Sequence, residues 1–458
     1  MDKLTFTSFG AAEEVTGSKH ILEYKGTKIL LDCGMFQGQR YESKVKNNNL
    51  GFEPDSIDAV ILSHAHIDHC GLLPLLTKRG FTGKIYCTPP TGDLLGIMLK
   101  DSAHIQEADE RYYAKHPELY TPFEKDPLYT EEDVEKCLQY VEIIPCHNEF
   151  SVGNFKIKFY GAGHVLGSVL TLITAGKKKI LFSGDLGREN MPLLIDREKG
   201  IEADVVVMES TYGGRFHDPV DLSSKSLEEI IKSTISKGGK VIIPSFALER
   251  TQEILYFLEE SFKQKRLPNI PIYVDSPMAI AVTEVFQKHK ETYDTEMKAR
   301  YKDWTPFSSR NIHFTETTEE SKQINAEKMP SIIISASGMC EAGRIRHHLK
   351  NSIDNYKNTI LIVGYMAEGT LGRKLIENKK VVSIFGQNYM VKANVQKLNS
   401  FSGHADETDL LSWLKSIKKK KKVILVHGEE KSLEALKEKI DKMVKDVVIS
   451  KRTIPIEI

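Results

Sequence analysis

The chain has 458 residues, of which 40% are hydrophobic and 28% charged, with 63 basic and 63 acidic side chains. That length exceeds one ordinary core and predicts two or three domains of a globular protein. A net charge of zero argues against a chain that coats nucleic acid by bulk charge, so a polyanion would have to meet a local concentration of basic residues.

The opening MDKLTFTSFG has no basic stretch followed by an apolar run, and is not a signal peptide. No stretch approaches the ~20 apolar residues of a membrane span, so no membrane partner is expected. Six scattered cysteines (Cys33, Cys70, Cys87, Cys137, Cys146, Cys340) contain no CxxC pair and predict reduced, mostly buried thiols in a cytoplasmic protein.

Short β-branched runs come first: KILLD near 30, AVILS near 61, KIKFY near 158, KKILFSGD near 182 and DVVVMES near 207. Gly-rich or polar turns bound them, which is strand punctuation. The interval from about 92 to 140 is rich in Glu, Lys, Ala and Leu and reads as helical. After Glu209 the rhythm becomes strand, turn, amphipathic helix, repeated four times in VIIPSFALERTQEIL, PIYVDSPMAIAVTEVF, SIIISASGMCEAGRIRHHL and NTILIVGYMAEGTLGRKLI. That predicts a parallel sheet flanked by helices, a second domain over residues 212–394. The pieces 1–211 and 395–458 are both strand-like. The run Lys418–Lys422 reads as a solvated helix end.

The chemistry concentrates in SHAHIDHCG, where His64, His66, Asp68 and His69 follow an apolar strand. A short loop turns such side chains toward one point, whereas a strand would alternate them between faces. Imidazole and carboxylate are zinc ligands, and a satisfied core histidine does not explain three of them in six residues. His164 in GAGHVLGS and Asp185 in LFSGDLG supply further donors after strands, because one loop cannot complete two metal shells. Asp32 in LLDCG ends another strand and reads as a carboxylate that orients a ligand or the attacking water, counted among the catalytic candidates.

HAHIDH, GAGH and SGD resemble the metallo-β-lactamase superfamily, and MESTYG, SFSGHAD and LVHGE in that order resemble its β-CASP nuclease branch. The resemblance spans essentially the whole chain. It implies an α/β fold: an αββα metallo-β-lactamase domain with an inserted Rossmann-like parallel-sheet β-CASP domain. It further implies two zinc ions, one on His64, His66 and His164, the other on Asp68, His69 and His427, with Asp185 bridging. Two metals ~3.5–4 Å apart clamp a phosphodiester and make hydroxide available near neutral pH. Asp68, Glu209 and His404 complete the catalytic set, with His404 as proton donor to the departing ribose oxygen and Glu209 as its partner. A histidine at the third motif, here His427, is the form of the RNA-cutting members, so single-stranded RNA is the expected partner. The implied products carry 5′-phosphate and 3′-hydroxyl, from endonuclease and optionally 5′-to-3′ exonuclease action. A homodimer is allowed.

Phosphate contacts are expected from the insert. Ser337 and Gly338 lie between a strand and a helix, where backbone N–H groups at a helix start bind phosphate. Arg344, His347 and His348 lie on that helix, and Thr370 and Arg373 come from GTLGRKL. In SFALERT, Glu249 stands where the branch commonly has Gly, which leaves Arg250 without a clear role. Lys19 stands where a smaller residue is usual. Three competing readings remain: a DNA nuclease of the same branch, a glyoxalase-type small-molecule hydrolase, and a non-catalytic RNA-processing subunit. His427 argues against the first, the insert with Glu209 and His404 against the second, and the complete ligand set against the third.

Overall fold

Alternation sets the first layer. LTFTSFG in the strand Leu4–Gly10 buries every second residue, as a pleated strand with one face on a core must. The computed structural model describes residues 3–38, 40–115, 126–302, 305–364, 366–367, 369–398 and 401–458. Contacts divide them into one unit of Met1–Asn190, Ile195–Phe216 and His404–Ile458, and another of Met191–Leu194 and His217–Gly403.

The first unit holds two seven-stranded sheets. One runs in the order Ile456–Glu457, Leu4–Gly10, Lys19–Tyr24, Thr27–Leu31, Ala59–Ile61, Lys84–Cys87, Val141–Ile143. The other runs Asp446–Ile449, Lys422–Leu425, Val205–Met208, Lys178–Phe182, Val169–Ala175, Phe155–Gly161, Glu149–Val152. Phe6, Leu22, Ile29, Leu31 and Ile61 of the first meet Phe155, Ile157, Phe159, Ile173 and Val207 of the second in one dry core. Each large apolar side chain buried there contributes about 1.5–3 kcal/mol to the unit's stability. Outside the first sheet, Leu73, Leu76, Leu95, Leu99 and Val134 project from the helices Leu73–Lys78, Pro89–Lys115 and Glu131–Leu138. Outside the second, Leu410, Trp413 and Leu414 come from Glu407–Ser416, and Leu433, Leu436 and Ile440 from Glu430–Ile440. The layers are therefore helix, sheet, sheet, helix, as the resemblance implied. VVVM of Val205–Met208 is buried throughout because parallel neighbours lie on both edges and the layers cover both faces.

The second unit is a parallel sheet in the order Ile312–Phe314, Ile272–Val274, Ile332–Ser335, Val241–Pro244, Thr359–Ile362, Asn394–Lys397. Helices Arg250–Lys263, Pro277–Lys288, Ile345–Ser352 and Leu371–Ile376 follow four of its strands, as the rhythm predicted. A fifth pair was not expected: the strand Ile312–Phe314 and the helix Thr318–Ala326. That helix begins with a capping box in which Thr317 and Glu320 satisfy each other's backbone N–H. The last strand, Asn394–Lys397, pairs with Thr359–Ile362 and so carries this sheet past residue 394, where the rhythm had ended the domain. All six cysteines are free thiols, and burial pushes Cys33, Cys87 and Cys137 up to about 12. Among the described residues no helix is long and apolar enough to cross a membrane.

Candidate metal centre

Strand ends collect the donors. Ala59–Ile61 leads into the loop that carries His64 and His66, and the helix Ile67–Cys70 follows with His66 as its N-cap. Asp68 and His69 thus ride a helical turn, where the sequence had suggested loop. The segment 32–34 lies hard against this turn: Cys33 N donates to His69 O at 2.7 Å and Ser18 N to Asp68 O at 2.8 Å. Gly34 permits the approach, since a Cβ there would sit 1.6 Å from Asp68 O. His164 follows the strand Phe155–Gly161, Asp185 follows Lys178–Phe182, and His427 follows Lys422–Leu425 with φ of +52°.

Two of the donor groups that result contain histidines of SHAHIDH. His64, His66, His164 and Asp185 each place one ligand atom within 4.8 Å of the others, and so do Asp68, His69 and His427. Asp185 serves both. Its Oδ2 lies 3.2 Å from His69 Nε2 and 3.6 Å from His64 Nε2 and His164 Nε2, while its Oδ1 lies 3.7 Å from His427 Nδ1. That Oδ1 is buried and accepts no hydrogen bond. A buried carboxylate oxygen without a donor is costly, and a bound cation removes the cost.

The electrostatics agree. Burial pushes the His64 imidazole well below its ordinary range and His66 down to about 4, so both present neutral nitrogen. Burial also opposes charge on Asp68, yet His69 and His427 draw it down to about 2. At His69 burial is overcome by Asp185, Asp32 and Asp68, which hold the imidazole well above its ordinary value. Anionic oxygen crowded round imidazole nitrogen is a donor set that fits zinc, which would displace the proton that the carboxylates hold on His69.

Asp32 does not belong to either set. It is fully buried and accepts from Ser63 N at 2.8 Å, Ser63 Oγ and Ser18 Oγ at 3.0 Å, and lies 2.7 Å from His69 Nδ1. From sequence it reads as a carboxylate that orients a ligand, and here it stands against the His69 ring. Ser18, Ser63 and Thr211 were not singled out from sequence. Ser63, which opens SHAHIDH, also lies 3.0 Å from His64 Nδ1.

His404 and Glu209 do meet. The Nδ1 of His404 lies 3.4 Å from Glu209 Oε2 and 3.5 Å from Oε1, and Leu186 N donates to Oε1 at 2.6 Å. The His404 ring stands 4.6 Å from that of His164. Burial alone would lower His404, but the buried Glu209 carboxylate outweighs it and lifts the imidazole to about 9.

Most of the residues expected to hold phosphate already have partners within the chain. Ser337 and Gly338 are not at a helix start, because residues 336–344 separate the strand Ile332–Ser335 from the helix Ile345–Ser352. Ser337 Oγ accepts from Ala342 N at 3.2 Å, and Gly338 is buried with the Phe246 ring where its Cβ would point. Arg344 donates to Asp275 Oδ1 at 2.7 Å, Thr315 O at 3.0 Å and Glu316 O at 2.6 Å. Asp275 also holds the buried His348 Nε2 at 2.6 Å. Thr370 caps the helix Leu371–Ile376 by accepting from Arg373 N. Arg250 is buried and ion-paired with Glu253. His347, against Phe385 at 4.6 Å, and Arg373, paired with Glu377 at 2.8 Å, stay in reach of solvent.

Comparison with known proteins accords with this geometry. Residues 18–245 match the metallo-beta-lactamase superfamily, 251–375 the Beta-Casp domain, and 388–450 the Zn-dependent metallo-hydrolase RNA specificity domain. The chain belongs to the β-CASP ribonuclease branch of the metallo-β-lactamase superfamily, a family of zinc-dependent metallo-hydrolases. It is similar to Ribonuclease TTHA0252 of Thermus thermophilus, with 38% identity over 93% of this chain and 94% of that one. It is 34% identical to an RNase J-like protein of Methanocaldococcus jannaschii over 92% and 91% of the two chains. Cleavage and polyadenylation specificity factor 73 of Drosophila melanogaster is 32% identical over 95% of this chain and 61% of its own length. A crystallised Enterococcus faecalis V583 protein of unknown function shares the fold, with a TM-score of 0.56 and 15% identity over 100% of each chain.

Proposed function

We propose that this chain is a two-zinc endoribonuclease, open to 5′-to-3′ exonuclease action, that hydrolyses single-stranded RNA to 5′-phosphate and 3′-hydroxyl ends. The observation that carries the reading is Asp185, a buried carboxylate set between two ligand groups and lacking a hydrogen-bond donor at Oδ1. Zinc held by His64, His66 and His164, and by Asp68, His69 and His427, with Asp185 between them, would supply Lewis-acid polarisation of a phosphoryl oxygen and a water acidified to near-neutral pH.

The rest of the chemistry falls to side chains. Asp32 and Ser63 hold the ligand rings in one orientation, so little reorganisation is needed during reaction. As the bond from phosphorus to the 3′ oxygen breaks, that oxygen needs a proton. His404, lifted to about 9 against Glu209, carries one at neutral pH and delivers it there. His64, His69, His164, Asp185 and His427 are all buried, so the phosphodiester must enter a recess. A pliable single strand does so more readily than a duplex, which supports the single-stranded substrate. The RNA specificity match over residues 388–450 and the ribonuclease relatives favour RNA over DNA.

The test is cleavage of end-labelled single-stranded RNA and matched DNA with zinc, with chelator, and by His404→Ala. Internal cuts in RNA, lost with chelator and strongly reduced in the variant, are expected. Two metals bound per chain with neither polymer cut would overturn the reading in favour of a small-molecule hydrolase.

A further inference from the structure

The segment Glu209–Thr211 addresses both histidines that enter late in the chain. Glu209 faces Nδ1 of His404, and Thr211, two residues on, faces Nδ1 of His427. The second contact has a consequence for metal binding that depends on where one proton sits.

Backbone bonds zip the two loops together. Val426 N donates to Met208 O at 3.0 Å, Ser210 N to His427 O at 3.0 Å, and His427 N to Ala11 O at 2.7 Å. Gly428 closes against Ser210, where a Cβ would stand 2.9 Å from the serine Cβ. Within this frame the Thr211 hydroxyl donates to His427 O at 3.3 Å while its oxygen lies 3.1 Å from His427 Nδ1. A hydroxyl has one proton and two lone pairs. With that proton on the carbonyl, the oxygen can only accept from Nδ1, which must then carry the ring's hydrogen. The other nitrogen, Nε2, is left with a free lone pair. It points at the second ligand group, 3.2 Å from His69 Nε2 and 3.6 Å from Asp68 Oδ2. The opposite tautomer would put a hydrogen on Nε2 and abolish it as a ligand.

We propose that Thr211 is a positioning residue that fixes the tautomer of His427 and so makes its Nε2 a metal ligand. This rests on the two-zinc reading above. The Thr211 hydroxyl ties the ring of His427 to the carbonyl of the same residue. It thereby also holds a backbone at φ of +52°, where a non-glycine residue needs support.

The experiment compares full-length wild type with Thr211→Val, which keeps the shape and removes the hydroxyl, and Thr211→Ser, which keeps the hydroxyl. Each is titrated with zinc in chelator-buffered solution, and cobalt(II) spectra report the coordination of each site. The expected result is that wild type and Thr211→Ser bind two ions, while Thr211→Val binds one ion as before and the other about 10- to 100-fold more weakly. The cobalt spectrum should change at one site only. Equal affinity of Thr211→Val and wild type at both sites would overturn the proposal while leaving the two-zinc reading intact. Wild type binding fewer than two ions would overturn both. Should Thr211→Val fail to fold, judged by circular dichroism of the metal-free protein, Thr211→Ala takes its place against Thr211→Ser. Equal zinc affinity in that pair would overturn the proposal too.

Discussion

Replacing Lys19 by methionine tests the balance of forces behind the ligand loops. Lys19 starts the strand Lys19–Tyr24 and is fully buried, with Nζ donating to Gly34 O at 2.9 Å and lying 4.0 Å over the Phe36 ring. Burial is the main cause that lowers its amine to about 7, helped by Arg452 and opposed by Cys33 and Glu14. An amine depressed in the folded state costs nothing above its unfolded value of 10.5, and the cost is fully present below about 7. At 1.36 kcal/mol per unit the full cost is roughly 4–5 kcal/mol, and at pH 9 it is only about 2 kcal/mol. Met cannot titrate, and it forfeits the bond to Gly34 at a pH-independent cost of about 1 kcal/mol. The advantage of Lys19→Met over wild type should therefore grow by about 2–3 kcal/mol between pH 9 and pH 7 and then level off. Urea unfolding of both proteins at half-unit steps from pH 6 to 9.5 measures it. A difference that stays flat across that range would refute the argument, whatever its absolute value.

Glu209→Gln removes the carboxylate that outweighs burial at His404, so the imidazole should fall from about 9. A proton donor fails as pH rises through its own value, and the alkaline limb of kcat/KM on RNA should move at least about one unit lower. Arg344→Ala should lower the stability of the second unit by about 3 kcal/mol, since it strips a partner from the buried Asp275. Denaturant unfolding checks this; unchanged stability with weakened RNA binding would restore Arg344 as a surface phosphate contact.

The donor clusters were legible because their chemistry is dense in sequence: four donor-type residues in HAHIDH, then GAGH, SGD and LVHGE after strands. Single hydroxyls leave no such trace, which is why Ser18, Ser63 and Thr211 emerged only from geometry. Arg344 misled for a related reason. A cation after a Gly-rich turn looks free when its partner, Asp275, lies 69 residues away in sequence. The extra strand Ile312–Phe314 is too short to show alternation, although the capping box TTEE after it was readable. The edge strand Asn394–Lys397 is largely polar and half-exposed, so its place in the sheet follows from pairing with Thr359–Ile362 and not from hydropathy.

The imidazoles of His69 and His427 touch in space but stand 358 residues apart in the chain. At about 5–20 residues per second on the ribosome, His427 is made roughly 20–70 s after His69. The strand Lys422–Leu425 that delivers it is also among the last of its sheet to be synthesised. A growing polypeptide thus holds six of the seven donors of the two groups once Asp185 is made, and gains His427 only 242 residues later (427 − 185). The second donor group is therefore a product of the assembled sheet and not of any one stretch of chain.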